Sequence, residues 1–170
     1  SFGATEDTMV ALCSAPGRTE ICGNHTDHQH GRVLAAAVNL DFLACVALNG
    51  TSVVHFQSEG WPMTSVDLAD LEVKEEEKET TASLIRGVLA KLHKAGYPVA
   101  GFDMYVTSTV LPGSGLSSSA ACEVLIGTTG NHLFCQDKFD AVEIAKIGQA
   151  AENEYFGKPC GLMDQTASSV

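Results

Sequence analysis

Eight residues near the start of the chain, GNHTDHQH at positions 23–30, contain three histidines and one aspartate, and Gly31 follows directly. Imidazole and carboxylate groups can bind a metal ion, but from a short, rigid turn they can also form hydrogen bonds to a polar ligand. Zinc ligands usually come from separated elements, and no Cys or Glu follows at a matching interval. The segment therefore allows both chemistries, with metal binding as the weaker alternative.

A second segment that could bind a ligand is the glycine-serine loop, LPGSGLSSSAA at 111–121. It lies between a stretch typical of a strand and one typical of a helix. Gly113 and Gly115 permit positive φ angles and close approach of the backbone to a ligand. The serines offer hydroxyl and N–H groups at a helix N-terminus, where a phosphate is stabilised. The Walker lysine is missing, and Ser118 stands where the dinucleotide fingerprint needs glycine. We predict a different kind of phosphate loop; the alternative is a serine-capped helix after a flexible turn.

The charge around this loop is unusual, because no Lys or Arg occurs between Ala95 and Asp137. A phosphate bound there needs compensating charge from elsewhere. Mg²⁺ is commonly held by one or two oxygen ligands together with phosphates and water. The sequence therefore predicts a divalent cation beside the loop, with the loop hydroxyls and Glu123 or Glu152 as candidate ligands.

The composition is that of one globular domain, with 170 residues, 45% hydrophobic and 18% charged. The net charge of -11 opposes binding to nucleic acid or to an anionic membrane surface. The six cysteines form no C-x-x-C pair and have no regular spacing, which predicts free thiols and a cytoplasmic location. No signal peptide or transmembrane segment is expected.

Hydrophobic periodicity predicts the elements that must position these segments. Alternating patterns, with the turn pair Asn49-Gly50, predict antiparallel strands in 9–18, 32–50 and 51–60, and a further strand in 102–110. The acidic run 67–80 is expected to be solvated. Helical spacing predicts three helices, in 81–96, 122–134 and 138–157. No repeat or linker divides the chain, so we predict one α+β domain over residues 1–170.

Three blocks together resemble the GHMP small-molecule kinases, and within that family the galactokinase branch. Residues 15–41 resemble the galactose-binding signature, the loop at 111–121 resembles the phosphate loop, and GKPCGLMDQ at 157–165 is similar to the segment that carries the catalytic aspartate. The blocks occur in the family's order. The resemblance implies a fold similar to ribosomal protein S5 domain 2, with a mixed sheet backed by helices.

The resemblance also implies roles for particular residues. Arg18 matches the arginine beside the transferring phosphate, and Asp164 matches the aspartate that contacts the sugar's anomeric hydroxyl; both are expected to be catalytic. Ser119 and Glu152 match the magnesium ligands. The residues implied for substrate binding are Asn24, His25, Asp27, Gly161 and Asp164. The residues implied for nucleotide binding are Pro112, Gly113, Ser114, Gly115, Leu116, Ser117, Ser118 and Ser119.

Several of these assignments have a structural alternative. Asp164 could be a helix N-cap, Arg18 part of a surface ion pair and Glu152 a solvated helix residue. Cys160 is expected to be a packing residue rather than a nucleophile, because phosphoryl transfer needs no thiolate. His28 and His30 are expected to be exposed or to support the turn.

The implied function is ATP-dependent phosphorylation of the C1 hydroxyl of galactose, with ATP and Mg²⁺ as cofactors. Hydroxyls both donate and accept hydrogen bonds, so Asp, Asn and His on a rigid turn suit a sugar. Asn24 replaces the family's usual Glu and Glu20 its usual Asn, which leaves a kinase for another sugar, such as N-acetylgalactosamine or arabinose, as an alternative. A non-catalytic galactose sensor is a second alternative.

Family members are considerably longer than this chain. The resemblance therefore implies that a C-terminal domain of the same enzyme closes the cleft, and that this chain alone turns over slowly or not at all. Apolar surface is expected to be exposed where that domain would pack.

Overall fold

A computed structural model describes residues 2–3 and 5–170. Its strands form one mixed sheet in the order β1-β2-β5-β3-β4. The strands are β1 (Ala11–Cys22), β2 (Leu34–Leu48), β3 (Val53–Ser58), β4 (Thr64–Asp67) and β5 (Phe102–Ser108). The α-helices are α1 (Thr81–Lys94), α2 (Ser118–Cys135), α3 (Ala141–Ala151) and α4 (Met163–Ser169). Short 3-10 turns lie at Thr26–Gln29 and Glu75–Glu77, and a π-helical turn lies at Glu152–Phe156.

The order of the strands corrects one expectation about the sheet. β1 and β2 are antiparallel as predicted, but β2 and β3 do not pair across Asn49-Gly50, because β5 lies between them, antiparallel to β2 and parallel to β3. The connection wraps around Gly101, whose N–H donates to the carbonyl of Thr51 at 2.8 Å. A Cβ at Gly101 would lie 2.5 Å from the carbonyl oxygen of Val53, so only glycine fits where the inserted strand begins.

Helix α1 packs its apolar side against one face of the sheet. The apolar stripe predicted from Thr81 onwards, which includes Ile85, Val88 and Leu89, is buried in the core, and Gly96 ends the segment with φ +95° as expected. On the sheet, Ala44, Val46, Met104 and Val106 face the same core. The predicted α+β class with a mixed sheet backed by helices is confirmed.

The other two predicted helices need new boundaries. α2 begins at Ser118 rather than at Cys122, so its first turn is formed by the last residues of the glycine-serine loop, 111–121. α3 begins after Asp140, which forms a capping box with Glu143, and it ends at Ala151, where the backbone widens into the π-helical turn. Single π-helical turns often occur at functional sites, which directs attention to Glu152.

The second face of the sheet carries apolar side chains in solvent. Leu12 pairs in register with Cys45, and Leu43 pairs with Ser14; all four of these residues are exposed. The described part of the chain therefore exposes apolar surface; that a further domain packs on such surface stays a prediction. No helix in residues 2–3 and 5–170 is long and apolar enough to cross a membrane.

The acidic run 67–80 is mostly exposed, as predicted, but Arg86 of α1 lies buried beneath it. Its Nε and Nη2 donate to the two carboxylate oxygens of Glu77 at 2.8 and 2.7 Å, and Nη1 donates to the carbonyls of Asp67 and Asp70. The side-chain hydrogen bonds from Arg86 lower the pKa of Glu77. The buried guanidinium of Arg86 thus holds the acidic run against α1.

We expect Glu77→Gln to lower the free energy of unfolding by about 1–3 kcal/mol, because it removes the charged partner of a buried guanidinium. Glu76→Gln, at the exposed neighbouring position, is the matched control and should change stability by less than about 0.5 kcal/mol. Urea unfolding of both variants measures the difference. Equal stability of the two would show that Arg86 does not depend on this partner.

Candidate active site

The centre of the candidate site is an ion pair between residues 146 positions apart. Arg18, on β1 and only 5% exposed, donates from Nε and Nη2 to Oδ1 and Oδ2 of Asp164, both at 2.7 Å. Its Nη1 donates to the carbonyl oxygen of Gly115 at 2.7 Å. The pair is buried rather than on the surface. Leu162 holds the N-cap position of α4, so Asp164 is not its N-cap residue.

The environment of Asp164 keeps its carboxylate charged. Burial acts to raise its pKa, but the hydrogen bonds from Arg18 and from the hydroxyl of Ser117, together with the charge of Arg18, outweigh burial and lower the pKa below its usual value. The hydroxyl of Ser117 donates to Oδ2 of Asp164. The site therefore holds a fixed anion next to a fixed cation.

The glycine-serine loop joins β5 to α2 and lies directly against this pair. Gly113 and Gly115 have φ angles of +75° and +77°, and a Cβ at either would meet open space, so glycine is needed here for conformation and not for packing. Ser117, at the N-cap position, makes no side-chain capping bond and instead contacts Asp164. The serine-cap alternative is therefore wrong. The first turn of α2 keeps its N–H groups free of a side-chain cap, as an anion site requires.

The turn at 23–30 is held in an uncommon backbone conformation. Asn24, His25 and His30 all have positive φ, between 51° and 62°. The hydroxyl of Thr26 donates to the carbonyl of Gly23 at 2.8 Å, and a Cβ at Gly31 would lie 2.1 Å from that hydroxyl oxygen. Such a conformation persists only where the surroundings determine it, and it is typical of ligand-binding turns.

Two carboxylates hold this turn against the rest of the chain. Glu20 accepts from the backbone N–H of His25 at 2.9 Å, and its second oxygen lies 3.0 Å from His25 Nε2. Oδ2 of Asp27 accepts from the N–H of Met163 at 2.9 Å. A Cβ at Gly161 would lie 1.8 Å from the same oxygen, so the close approach of Asp27 to the 157–165 segment requires glycine.

These elements surround an open cleft with a volume of about 380 Å³. Most of the predicted site residues line it together, although Asn24, Pro112 and Glu152 do not. Five residues that sequence reasoning did not assign to the site also line it. The predicted residues in the lining are Arg18, His25, Asp27, Gly113, Ser114, Gly115, Leu116, Ser117, Ser118, Ser119, Gly161 and Asp164, and the additional ones are His28, Leu111, Lys158, Pro159 and Cys160.

The additional residues could have been found from their neighbours in sequence. His28 follows Asp27 in a single 3-10 turn, and its Nδ1 lies 2.6 Å from the carbonyl oxygen of His25. It is exposed and also supports the turn, as expected. Lys158 and Cys160 lie inside the 157–165 block. Burial, followed by the charge of Glu152, raises the pKa of the Cys160 thiol, which stays protonated and is no nucleophile.

The predicted magnesium ligands are adjacent in space. The hydroxyl of Ser119 donates to Oε1 of Glu152 at 3.2 Å, and Glu152 is almost fully buried at the start of the π-helical turn. Two oxygens, one of them from a carboxylate, beside the glycine-serine loop are ligands of the kind that a hard cation such as Mg²⁺ prefers. Glu123, the other candidate, also lies outside the cleft lining, and it accepts from Gln165 rather than from a loop hydroxyl. Burial raises the pKa of Glu123 well above the usual range.

The histidine-rich turn does not form a metal site in the part of the chain that the structure describes. Within residues 2–3 and 5–170, no three His, Cys, Asp or Glu residues converge as metal ligands would. The structure therefore gives no support to the zinc alternative for residues 23–30.

A comparison with protein families decides the family. The sequence profile of the GHMP kinases N terminal domain matches residues 83–170, which is more than half of the chain. The chain belongs to the GHMP kinases. A second profile, the galactokinase galactose-binding signature, matches residues 1–48. The two matched regions contain the two halves of the cleft, and they confirm the resemblance that the three sequence blocks predict.

Curated relatives point to the same branch of the GHMP kinases. The chain is 38% identical to galactokinase from Clostridium tetani over 157 residues, which cover 92% of this chain and 40% of that protein. It is 35% identical to galactokinase from Streptomyces coelicolor over 168 residues, which cover 99% of this chain and 42% of that protein. The chain thus spans about two fifths of the length of the curated relatives it matches.

Solved structures agree with this family assignment. The structure of Lactococcus lactis galactokinase complexed with galactose superimposes with a TM-score of 0.87 and 31% identity, over 98% of this chain and 42% of that one. Methanococcus jannaschii mevalonate kinase superimposes with a TM-score of 0.74 at 16% identity, which shows the shared GHMP kinase fold alone.

We expect Asp164→Asn to lower the free energy of unfolding at pH 7 by about 1–3 kcal/mol, because Arg18 loses its charged partner. The folded-state pKa of Asp164 lies below its usual value of 3.8, so this contribution is present above the unfolded pKa and is lost as the pH falls through the folded pKa. Urea unfolding from pH 7 to below pH 3.8 should therefore show the two proteins converging.

Asp137→Asn is the control, since Asp137 is exposed and pairs with His132 on the surface. Its effect at pH 7 should be below about 1 kcal/mol. A stability loss in Asp164→Asn that persists undiminished into the acid range would contradict a contribution from the ion pair.

Proposed function

We propose that this chain is the N-terminal part of a galactokinase, an ATP-dependent sugar kinase that phosphorylates the C1 hydroxyl of galactose. The observation that carries the proposal is the position of the Arg18–Asp164 pair. It lies in one cleft between the strained turn at 23–30 and the glycine-serine loop. A cleft with a hydroxyl-binding end, an anion-binding end and a charged pair between them suits transfer of a phosphoryl group to a sugar.

At the sugar end, His25 and Asp27 are the proposed contacts to hydroxyls, with the N–H of Gly161 as a donor. Asp27 lines the cleft, and its Oδ2 accepts from the N–H of Met163 at 2.9 Å. This hydrogen bond restricts rotation of the carboxylate. A site that pairs each hydroxyl rejects a stereoisomer by leaving a buried group unpaired. This is the proposed basis of galactose selectivity.

At the centre, Asp164 orients the C1 hydroxyl and accepts its proton. The lowered pKa of Asp164 makes the carboxylate a weak base, so the proton moves as the new P–O bond forms, when the hydroxyl becomes acidic. Arg18 uses three of its five N–H donors on Asp164 and Gly115. Two donors remain to stabilise the charge of the transferring group.

At the anion end, the loop from Pro112 to Ser119 is the proposed binding site for the phosphates of ATP, through backbone N–H groups and the first turn of α2. Ser119 and Glu152 are the proposed ligands of Mg²⁺, which when bound would offset the charge of the phosphates. Lys158 adds a cation to the cleft wall. We propose a cytoplasmic location, where ATP is available.

A kinase for another sugar is the second candidate, and the observation that favours it is Asn24. This residue is exposed and does not line the cleft, and it is an amide at a position where the family usually has a carboxylate. A non-catalytic sensor is disfavoured, because sugar binding alone does not require a buried arginine paired with Asp164 beside a phosphate loop.

Calorimetry with galactose, glucose and arabinose tests the proposal on the full-length protein that contains this chain, with Mg²⁺ and a non-hydrolysable ATP analogue present. We expect binding that is selective for galactose. Asp27→Asn should weaken it roughly 10- to 100-fold, the loss of one charged hydrogen bond. Asp41→Asn is the matched control, because Asp41 accepts from Ser14 on the sheet and does not line the cleft.

Two outcomes would count against the proposal. Selective binding of arabinose would transfer the assignment to another sugar kinase. Galactose binding without any phosphorylated product, when ATP replaces the analogue, would favour the sensor.

A further inference from the structure

Behind the phosphate end of the cleft lies a buried polar cluster, the Glu123–Gln165–Glu152 triad, of which the proposed chemistry uses Glu152 alone. The three residues are 0%, 0% and 3% exposed. Nε2 of Gln165 donates to Oε2 of Glu123 at 2.9 Å and to Oε2 of Glu152 at 2.7 Å. Two acidic side chains from different helices are thus joined by a single amide nitrogen.

The orientation of this amide is fixed by its two partners. An amide nitrogen has two hydrogens, and each is used by one carboxyl group. Rotating the amide by half a turn would break both of these hydrogen bonds. Gly148 of α3 packs directly against the triad, since a Cβ there would lie 3.2 Å from both Gln165 Cγ and Glu123 Cβ.

The two carboxylate oxygens of Glu152 have different hydrogen-bond partners. Oε2 is held by Gln165, whereas Oε1 is turned toward Ser119, whose hydroxyl donates to it at 3.2 Å. Oε1 is therefore presented to the phosphate loop by a bond made on the other oxygen. Glu123 supplies the fixed end of this arrangement from the middle of α2.

We propose that Gln165 is a positioning residue that holds Glu152 in the orientation needed to bind the divalent cation accompanying the nucleotide, with Glu123 as its anchor. The inference rests on the proposed function, because it concerns the cation of that same site. Partners that orient a metal ligand contribute about 10- to 100-fold to metal affinity, although they never touch the metal.

The same residue connects the cation site to the centre of the cleft. Gln165 directly follows Asp164 in the first turn of α4, so its two bonds also fix the turn from which Asp164 reaches Arg18. Loss of the amide should nevertheless affect the cation more than the sugar, because Asp164 keeps its own bonds to Arg18 and Ser117.

The test is Mn²⁺ binding, followed by electron paramagnetic resonance, to the full-length protein in the presence of a non-hydrolysable ATP analogue. In Gln165→Met, which keeps a similar volume and removes the donors, we expect the dissociation constant for Mn²⁺ to rise at least 10-fold. Galactose affinity, measured by calorimetry, should change less than threefold.

Asn131→Leu is the matched control, because Asn131 is another buried amide, bonded to the backbone of Phe139 and remote from the cleft. It should lose stability without losing Mn²⁺. Should Gln165→Met fail to fold, Gly148→Ala crowds the triad more gently, and we expect a rise of about threefold in the Mn²⁺ constant.

The outcomes separate this inference from the proposed function. If the wild type binds Mn²⁺ with the analogue and Gln165→Met binds it equally well, the positioning role is wrong while the proposed function stands. If Gln165→Met loses galactose and Mn²⁺ to the same extent, the residue is only structural. If the wild type binds no Mn²⁺ with the analogue, the proposed function itself fails.

Discussion

The buried charge of Arg18 is the constraint on which the rest of the site depends. A guanidinium that is removed from water must be paired, since an uncompensated buried charge costs several kcal/mol. Here the partners are the carbonyl of Gly115 in the glycine-serine loop and the carboxylate of Asp164 in α4. Satisfying one side chain therefore brings together three segments that are far apart in sequence. The cleft is the space that remains around this meeting point.

Helix α4 shows how much a short element can organise when tertiary contacts hold it. A helix of seven residues is unstable in isolation. Three successive residues in its first turn each bind a different part of the site: the N–H of Met163 binds Asp27, Asp164 binds Arg18, and Gln165 binds the two buried glutamates. Because these positions share one turn, the turn at 23–30, the Arg18–Asp164 pair and the two buried glutamates are fixed relative to one another.

Local patterns predicted much of this molecule, and long-range contacts explain what they missed. The stripe of α1 and the loop at 111–121 follow from periodicity and residue type, and both are where the sequence places them. The insertion of β5 between β2 and β3 depends on Gly101, whose need for space is invisible without the partner strand. Likewise, Gln165 and Glu123 are ordinary helix residues until the fold places them on one side of Glu152. Sequence spacing cannot reveal a bond between residues 42 positions apart.

The two departures from the family pattern, Asn24 and Glu20, both affect the turn at 23–30. Asn24 has φ +53°, in the left-handed region, where Asn is far better tolerated than Glu because its short side chain can bond locally. A carboxylate is present at Glu20, at the end of β1, where it contacts both the N–H and the ring of His25. Glu20 thus holds His25, and the turn has at Asn24 a residue suited to its backbone. Under the proposed function, galactose selectivity would rest on how firmly His25 and Asp27 are held.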